Sequence, residues 1–288
     1  MAGLQTGDLL LQILPLLHCA ERMSQSILRI ADIEHFHWTL SEADIPVASS
    51  FNGSLLSLAA AVELAAIQAH QNRKSAPFSC KDCPLWSLVK ASGWPGRRRP
   101  FVRRSSETVA IVVPAEPDGL WWTNCLHQLR NELSEKGFPR RLAAGLTGGV
   151  AEMVDNVWQH SESGGPGLLV YQVRRRRFAF SVADAGIGVL ASLSQNPRYD
   201  WLRSSMEAIR LAIKPGVSRE DSGGLGFATL LNNMAELWGN ARMRSGEAAL
   251  VIDRTEDIRR RNAIYLPPLP GMHVSVRCSL DPPRNPAE

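Results

Sequence analysis

The sequence predicts an α/β protein of the α+β type, a two-layer sandwich in which one sheet packs on helices. Runs rich in β-branched and aromatic residues predict strands at 108–113, 168–173, 178–183, 248–252 and 273–279. Apolar residues at helical spacing predict helices at 121–136, 139–159, 205–213 and 227–238. Four arginines, residues 174–177, separate two of the strands and predict the tip of a hairpin.

The composition is that of a folded globular protein. Hydrophobic residues make up 44% of the 288 residues and charged residues 21%, so disorder is not expected. The net charge of +4 comes largely from three arginine runs, at 97–99, 174–177 and 259–261. Such runs are typical of exposed tips and loops, so nucleic-acid binding is the less favoured interpretation.

Three units are predicted along the chain. Residues 1–100 form a small α/β or helical domain, with helices at 7–32, 54–70 and 85–91 and a candidate strand at 33–40. A Pro-, Gly- and Arg-rich stretch at 94–100 marks the boundary, residues 106–280 form the larger domain, and 281–288 is a Pro-rich, flexible tail.

The cysteines indicate a reducing compartment, because their number, five, is odd and their spacing gives no disulfide framework. Cys80 and Cys83 form a single CxxC pair, for which two ordinary thiols are favoured over a zinc or redox site. His35 and His37 are likewise favoured as ordinary histidines. The apolar stretch at 9–17 is too short to span a bilayer, so a cytoplasmic protein without a membrane partner is expected.

The helix at 139–159 carries Glu152, Asn156 and His160 four residues apart, which places them along one side. An amide oxygen such as that of Asn156 is a good ligand for Mg²⁺, which keeps most of its waters and bridges to phosphates. The Glu152 carboxylate, one turn away, could deprotonate an attacking water or hydroxyl. The alternative is an ordinary polar helix face, and His160 has no assigned role.

Two glycine-bearing segments follow. Asp184 ends a strand, where its carboxylate can accept a hydrogen bond from an exocyclic amine such as that of adenine, and Gly186 and Gly188 permit close approach to a flat base. The segment Gly223–Gly224–Leu225–Gly226 precedes a helix, whose first N–H groups favour phosphate. Taken singly, each segment is also explained as a turn.

The order of the three segments resembles the GHKL family of ATPases, which share the Bergerat fold, over residues 106–280. Glu152-x-x-Asp155-Asn156 is similar to the family's N-box, Asp184-x-Gly186-x-Gly188 to its adenine motif, and residues 224–227 to its second glycine box. The resemblance implies a mixed sheet packed on helices and a site for ATP and Mg²⁺. It further implies that Asn156 binds the metal, that Glu152 is the base, and that residues 192–222 contain a lid.

The resemblance leaves three functions open. The first is a regulatory ATPase whose nucleotide state and lid closure control a protein partner, with a homodimer as an additional form of contact. The second is an anti-sigma-like serine/threonine kinase, and the third is a non-catalytic nucleotide-binding protein. Ser222 and Met272 depart from the family pattern, and Lys214 and Arg219 are candidate phosphate contacts. Residues 1–100 faintly resemble small STAS-like modules.

Overall fold

The computed structural model describes residues 27–28, 49–50, 55–70, 78–79, 84–114, 118–160, 165–218, 226–253 and 262–282. The first elements of this part of the chain are β1 (Ile27–Leu28), β2 (Ser49–Ser50), β3 (Leu55–Leu56), α1 (Leu58–His70), β4 (Phe78–Ser79) and α2 (Pro84–Ser92). Strand β1 pairs in parallel with β3, and β2 in parallel with β4. The remaining elements are β5 (Phe101–Ser105), β6 (Thr108–Val113), α3 (Gly119–Glu135), α4 (Arg140–His160), β7 (Gly167–Arg174), β8 (Arg177–Ala183), α5 (Gly188–Leu193), α6 (Ser205–Ala212), α7 (Gly226–Met234), β9 (Trp238–Asp253) and β10 (Asn262–Ser279).

A six-stranded sheet in the order β5-β6-β7-β8-β10-β9 organises the fold, and all its described pairs are antiparallel. The sheet is therefore not the mixed sheet expected from the family resemblance. Helices α3 and α4 connect β6 to β7 along the chain. Because there are two of them, the chain returns to the end of the sheet at which β6 ends. Gly167 at the start of β7 consequently pairs with Val113 at the end of β6, and the two strands run in opposite directions.

One face of the sheet packs on α3 to α7. The alternating side chains Phe178, Phe180 and Val182 of β8 meet Leu146 and Val150 of α4 in this core. This arrangement confirms the α+β class, with its sheet-on-helix layers.

The second face of the sheet is covered by α1 and α2. A separate apolar cluster joins Val62 and Ile67 of α1 and Trp86 of α2 to Val112 and Val170 of the sheet. The sheet therefore lies between two helical layers rather than being one half of a two-layer sandwich. The domain boundary near residue 100 stays a prediction, but helices on its N-terminal side share this second core.

Most of the predicted elements of the larger domain are confirmed within a few residues, but several elements differ. Strands β2, β4 and β5 and helix α5 were not predicted, and β3 lies inside the helix predicted at 54–70. Strands β9 and β10 are much longer than the predicted strands at 248–252 and 273–279. Helix α7 ends at Met234 rather than 238, because β9 begins at Trp238. Ile27–Leu28 forms a strand inside the predicted helix at 7–32; the rest of that helix and the candidate strand at 33–40 lie outside the described residues.

The predicted tail begins with an anchored residue. Arg176 Nε donates to Asp281 Oδ1 at 2.7 Å across the hairpin tip, and residues 283–288 lie outside the described residues. Among the described helices, none is long and apolar enough to cross a membrane.

Candidate functional site

Helix α7 packs closely on α4 through two glycines. Asn233 Nδ2 donates to the Gly145 carbonyl at 3.0 Å, and a Cβ added at Gly149 would lie 2.7 Å from Leu230 Cδ1. The earlier residue of α4 meets the later residue of α7, so the two helices run antiparallel. The absence of side chains at the two glycines permits this close packing.

This register brings the start of α7 towards the polar half of α4. Gly226 lies one turn before Leu230, and Met153 lies one turn after Gly149, so antiparallel packing sets Gly226 at about the level of Met153. Asn156 is less than one turn further along α4. Gly226 is the last residue of the predicted phosphate segment; Gly223, Gly224 and Leu225 lie outside the described residues.

The end of β8 comes to the same end of α4. A Cβ added at Gly167 would lie 2.8 Å from Cγ1 of Val157, the residue that follows Asn156. The next residue of β7, Leu168, pairs with Ala183, and Asp184 follows. Asn156, Asp184 and Gly226, the one described residue of the third segment, therefore lie towards one end of the sheet.

On α4, Glu152 is exposed and Asp155 and Asn156 are half-buried. Burial, followed by the negative charge of Glu152, raises the pKa of Asp155. The Asn156 side chain makes no hydrogen bond within the described part of the chain, so its amide oxygen is free to take a ligand. The side chain of His160 is outside the described residues.

Asp184 is 5% exposed and held by backbone donors. Its Oδ1 accepts from Gly186 N at 2.7 Å and its Oδ2 from Met272 N at 3.1 Å, and its own N–H donates to the Met272 carbonyl at 3.0 Å. Burial raises the pKa of Asp184 to about 6, against the opposing effect of the two amide hydrogen bonds. Each oxygen retains a second lone pair, so the carboxylate can still accept one more hydrogen bond.

Gly188 and Gly271 form the close packing around this carboxylate. Gly188 begins α5 with φ +78°, and a Cβ there would lie 2.8 Å from Ser245 Oγ. Gly271 has φ +77°, and a Cβ there would lie 2.1 Å from the Asp184 carbonyl oxygen. Ser245 Oγ accepts from Val189 N at 2.9 Å and donates to the Gly271 carbonyl at 2.8 Å, which ties the two glycine segments together.

Much of the segment in which a lid is expected, residues 192–222, is packed against the rest of the protein. Tyr199, Leu202, Met206 and Ile209 are buried in the main core. Helix α6 is held to β9 as well, because Ser205 N and Oγ donate to the two carboxylate oxygens of Glu247 at 3.0 and 2.7 Å. Beyond this packed region Lys214 is exposed, and Ser222 and Arg219 lie outside the described residues.

Among the described residues, no group of three or more His, Cys, Asp or Glu side chains is arranged to bind a metal ion. A Mg²⁺ ion that keeps most of its waters needs only one or two protein ligands, since substrate phosphates complete its shell. The half-buried Asn156 amide, unengaged by other described side chains, fits that limited requirement. Cys80, Cys83, His35 and His37 lie outside the described residues.

A buried polar cluster that the sequence did not suggest lies between α1 and the second face of the sheet. Glu63 Oε2 accepts from Arg242 Nη1 at 2.5 Å and pairs with His273 Nδ1 at 2.9 Å, and Glu63 Oε1 accepts from Arg244 Nη1. Burial opposes ionisation of Glu63, but Arg242, the His273 hydrogen bond and Arg244 together hold its pKa well below the usual range. Burial lowers the pKa of His273, against the opposing effect of its hydrogen bond with Glu63.

Ser181 completes the cluster, with its Oγ 2.6 Å from His273 Nε2. Serine, histidine and glutamate are thus linked in the order of an acyl-transfer triad. Ser181, His273 and Glu63 are, however, only 0%, 2% and 0% exposed, so a substrate has no access to the hydroxyl. The cluster therefore joins α1 to the sheet and does not act as a nucleophilic site.

No protein-family model matches the chain, and no curated protein matches it in sequence.

Proposed function

We propose that this protein is a GHKL-type module that binds ATP with Mg²⁺, and that it is an ATPase whose nucleotide state regulates a protein partner. The observation that supports the proposal is that Asn156, Asp184 and Gly226, one residue from each sequence segment, lie towards one end of the sheet. Asn156 is next to Val157, which contacts the start of β7. Strand β8, whose last residue pairs with β7 at that point, leads into Asp184. The antiparallel packing of α7 on α4 sets Gly226 at about the level of Met153, less than one turn from Asn156.

Each segment supplies chemistry that suits one part of the nucleotide. Asp184 retains acceptor capacity for the adenine amine although its two oxygens already accept from backbone amides. The N-terminus of α7 would offer phosphates its first backbone N–H groups and the positive end of a helix dipole. Asn156 would hold Mg²⁺, which when bound neutralises phosphate charge, and the exposed Glu152 carboxylate is available to orient or deprotonate a nucleophile.

Regulation of a partner requires a part of the molecule that responds to phosphate. Because residues 199–213 are anchored in the core and by Glu247, a lid would be confined to the chain after Ile213. We therefore propose that the nucleotide-sensitive part of the chain lies within residues 214–226 of the sequence.

A thermal-shift measurement with ADP and ATP, each with and without Mg²⁺, tests the proposal. A ligand that binds only the folded protein raises its stability, by about 2.7 kcal/mol when its concentration is 100 times Kd. Asn156→Ala should lose the Mg²⁺-dependent part of the shift, whereas Arg140→Ala, an exposed change at the other end of α4, should not alter it. A wild-type protein that shows no shift with either nucleotide would contradict the proposal.

Turnover is tested separately by phosphate release. Glu152→Gln should keep the thermal shift and lose release, because the amide cannot accept the proton of the nucleophile. Transfer of labelled phosphate to a protein instead of water would identify the kinase alternative. A thermal shift without either reaction would identify the non-catalytic alternative.

A further inference from the structure

The buried cluster around Glu63 holds the part of β10 against which Asp184 is packed. His273 pairs with Glu63 on one face of β10, while the preceding residue, Met272, both accepts from and donates to Asp184. One residue earlier, Gly271 lies so close to Asp184 that any Cβ would overlap its carbonyl oxygen. The wall of the candidate adenine site is thus continuous with the residue that Glu63 binds.

This part of β10 is not fixed by strand pairing alone. The register between β9 and β10 shifts between Tyr265 and Leu269 and again between Leu269 and Met272. Irregular pairing of this kind leaves residues out of the ladder, so other contacts must determine the path of the backbone.

Glu63 reaches both ends of the irregular segment. Through His273 it holds the second pair after the second register shift, the pair that follows Met272 and Ser245. Through Arg244, whose Nη2 donates to the Pro267 carbonyl at 2.8 Å, it holds the other end. Glu63 is fully buried, and α1, on which it lies, belongs to the N-terminal part of the chain.

We propose that Glu63 is a positioning residue for the nucleotide site: acting through His273 and Arg244, it fixes residues 267–273 and thereby the geometry of Asp184. The proposal depends on the proposed function for its ligand, an adenine nucleotide. It also gives the N-terminal region a role, because a helix on the far face of the sheet then contributes to nucleotide affinity.

Amide hydrogen exchange on the full chain without nucleotide, followed by calorimetric titration with ADP and Mg²⁺, tests this inference. Glu63→Gln keeps the size of the side chain but removes its charge. Ile67→Ala is the matched control, since Ile67 is fully buried one turn later on α1 and has no polar link to β10. The reporters are the Gly186 and Met272 amides, which donate to Asp184, with the Leu169 amide of β7 as reference.

Glu63→Gln should accelerate exchange at Gly186 and Met272 by about tenfold relative to Leu169 and weaken ADP binding by about tenfold, a change of about 1.4 kcal/mol. Ile67→Ala should alter the three amides equally and change Kd less than about twofold. Equal effects of the two variants on all three amides, or faster exchange with an unchanged Kd, would overturn the inference.

If Glu63→Gln fails to fold, a second variant tests the inference. Ser181→Ala removes a hydroxyl that contacts His273 Nε2 and donates to the Val274 carbonyl of β10, and it should produce the same pattern with smaller changes. Its failure to alter exchange at Met272 would also overturn the inference. If wild-type protein binds no ADP, the proposed function fails, while the exchange data still decide whether Glu63 positions Asp184.

Discussion

Asp184 should destabilise the folded protein at neutral pH, because its ionised carboxylate is buried at the candidate site. Its side chain is 5% exposed and its pKa is raised to about 6 by burial. In the unfolded chain an aspartate has a pKa of about 3.9. The folded protein therefore binds this proton more tightly than the unfolded chain does.

The sign and size of the effect follow from this difference. Proton binding at Asp184 stabilises the folded protein fully below about pH 4. This stabilisation is lost as the pH rises from about 4 to 6, and it is absent at higher pH. The full difference corresponds to about 3 kcal/mol, of which about 2 kcal/mol falls between about pH 4.5 and pH 8. Because Asp184 is almost completely buried, little solvent screening reduces the effect.

Asp184→Asn removes the titration. Its amide group must face one of the two backbone N–H donors, those of Gly186 and Met272, so the variant should lose about 1–3 kcal/mol relative to the protonated wild type. Between about pH 4.5 and pH 8 that deficit should shrink by about 2 kcal/mol or reverse, because only the wild type loses stability by ionising this group. Urea denaturation of both proteins at the two pH values measures the difference. A deficit that is the same at both pH values would refute the reasoning.

Three further predictions concern packing and reactivity. Gly149→Ala should lower the free energy of unfolding by about 1–3 kcal/mol, because its Cβ would lie 2.7 Å from a side-chain carbon of α7. Gly148→Ala, whose Cβ would have nothing within 4 Å, should raise it by about 0.5–1 kcal/mol. The urea midpoints of the two variants measure this difference. Gly271→Ala should cost about 2–4 kcal/mol, measured in the same way, since φ is +77° and the new Cβ would lie 2.1 Å from the Asp184 carbonyl oxygen. Burial raises the pKa of Cys278 to about 12, so this thiol should resist iodoacetamide at about pH 8 in the folded protein and react on unfolding. Mass spectrometry of the labelled peptide measures the extent of reaction. Labelling of the folded protein at the rate of the unfolded protein would contradict this prediction.

The sequence predicts well those elements whose pattern is local. Strand β6 has the predicted bounds, and α4 differs from its predicted range by one residue at each end, because regular apolar spacing marks both elements. Strand β5 was missed because it lies at an edge of the sheet. Its residues are mostly exposed and include two arginines, so the segment resembles an exposed connection.

Contacts between distant parts of the chain could not be predicted in the same way. Glu63 is one acidic residue in an alanine-rich helix, and its partners Arg242 and His273 lie 179 and 210 residues away. Two arginines in β9 also interrupt the apolar alternation, which concealed the length of that strand. At the candidate site, Asp184 and Gly188 were predicted from a local motif, whereas the contribution of Ser245 depends on a strand that follows much later.

The exposed edge strand β5 also bears on how the protein behaves at high concentration. An open edge presents backbone donors and acceptors that can add a strand from another molecule. Arg103 is exposed on this edge, Arg104 is paired with Glu132 of α3, and Arg97 is stacked on Phe101 with its guanidinium carbon 4.3 Å from the ring centroid. Two β5 edges brought together would bring Arg97 and Arg103 of each copy close to those of the other, and this repulsion disfavours edge-to-edge pairing through β5.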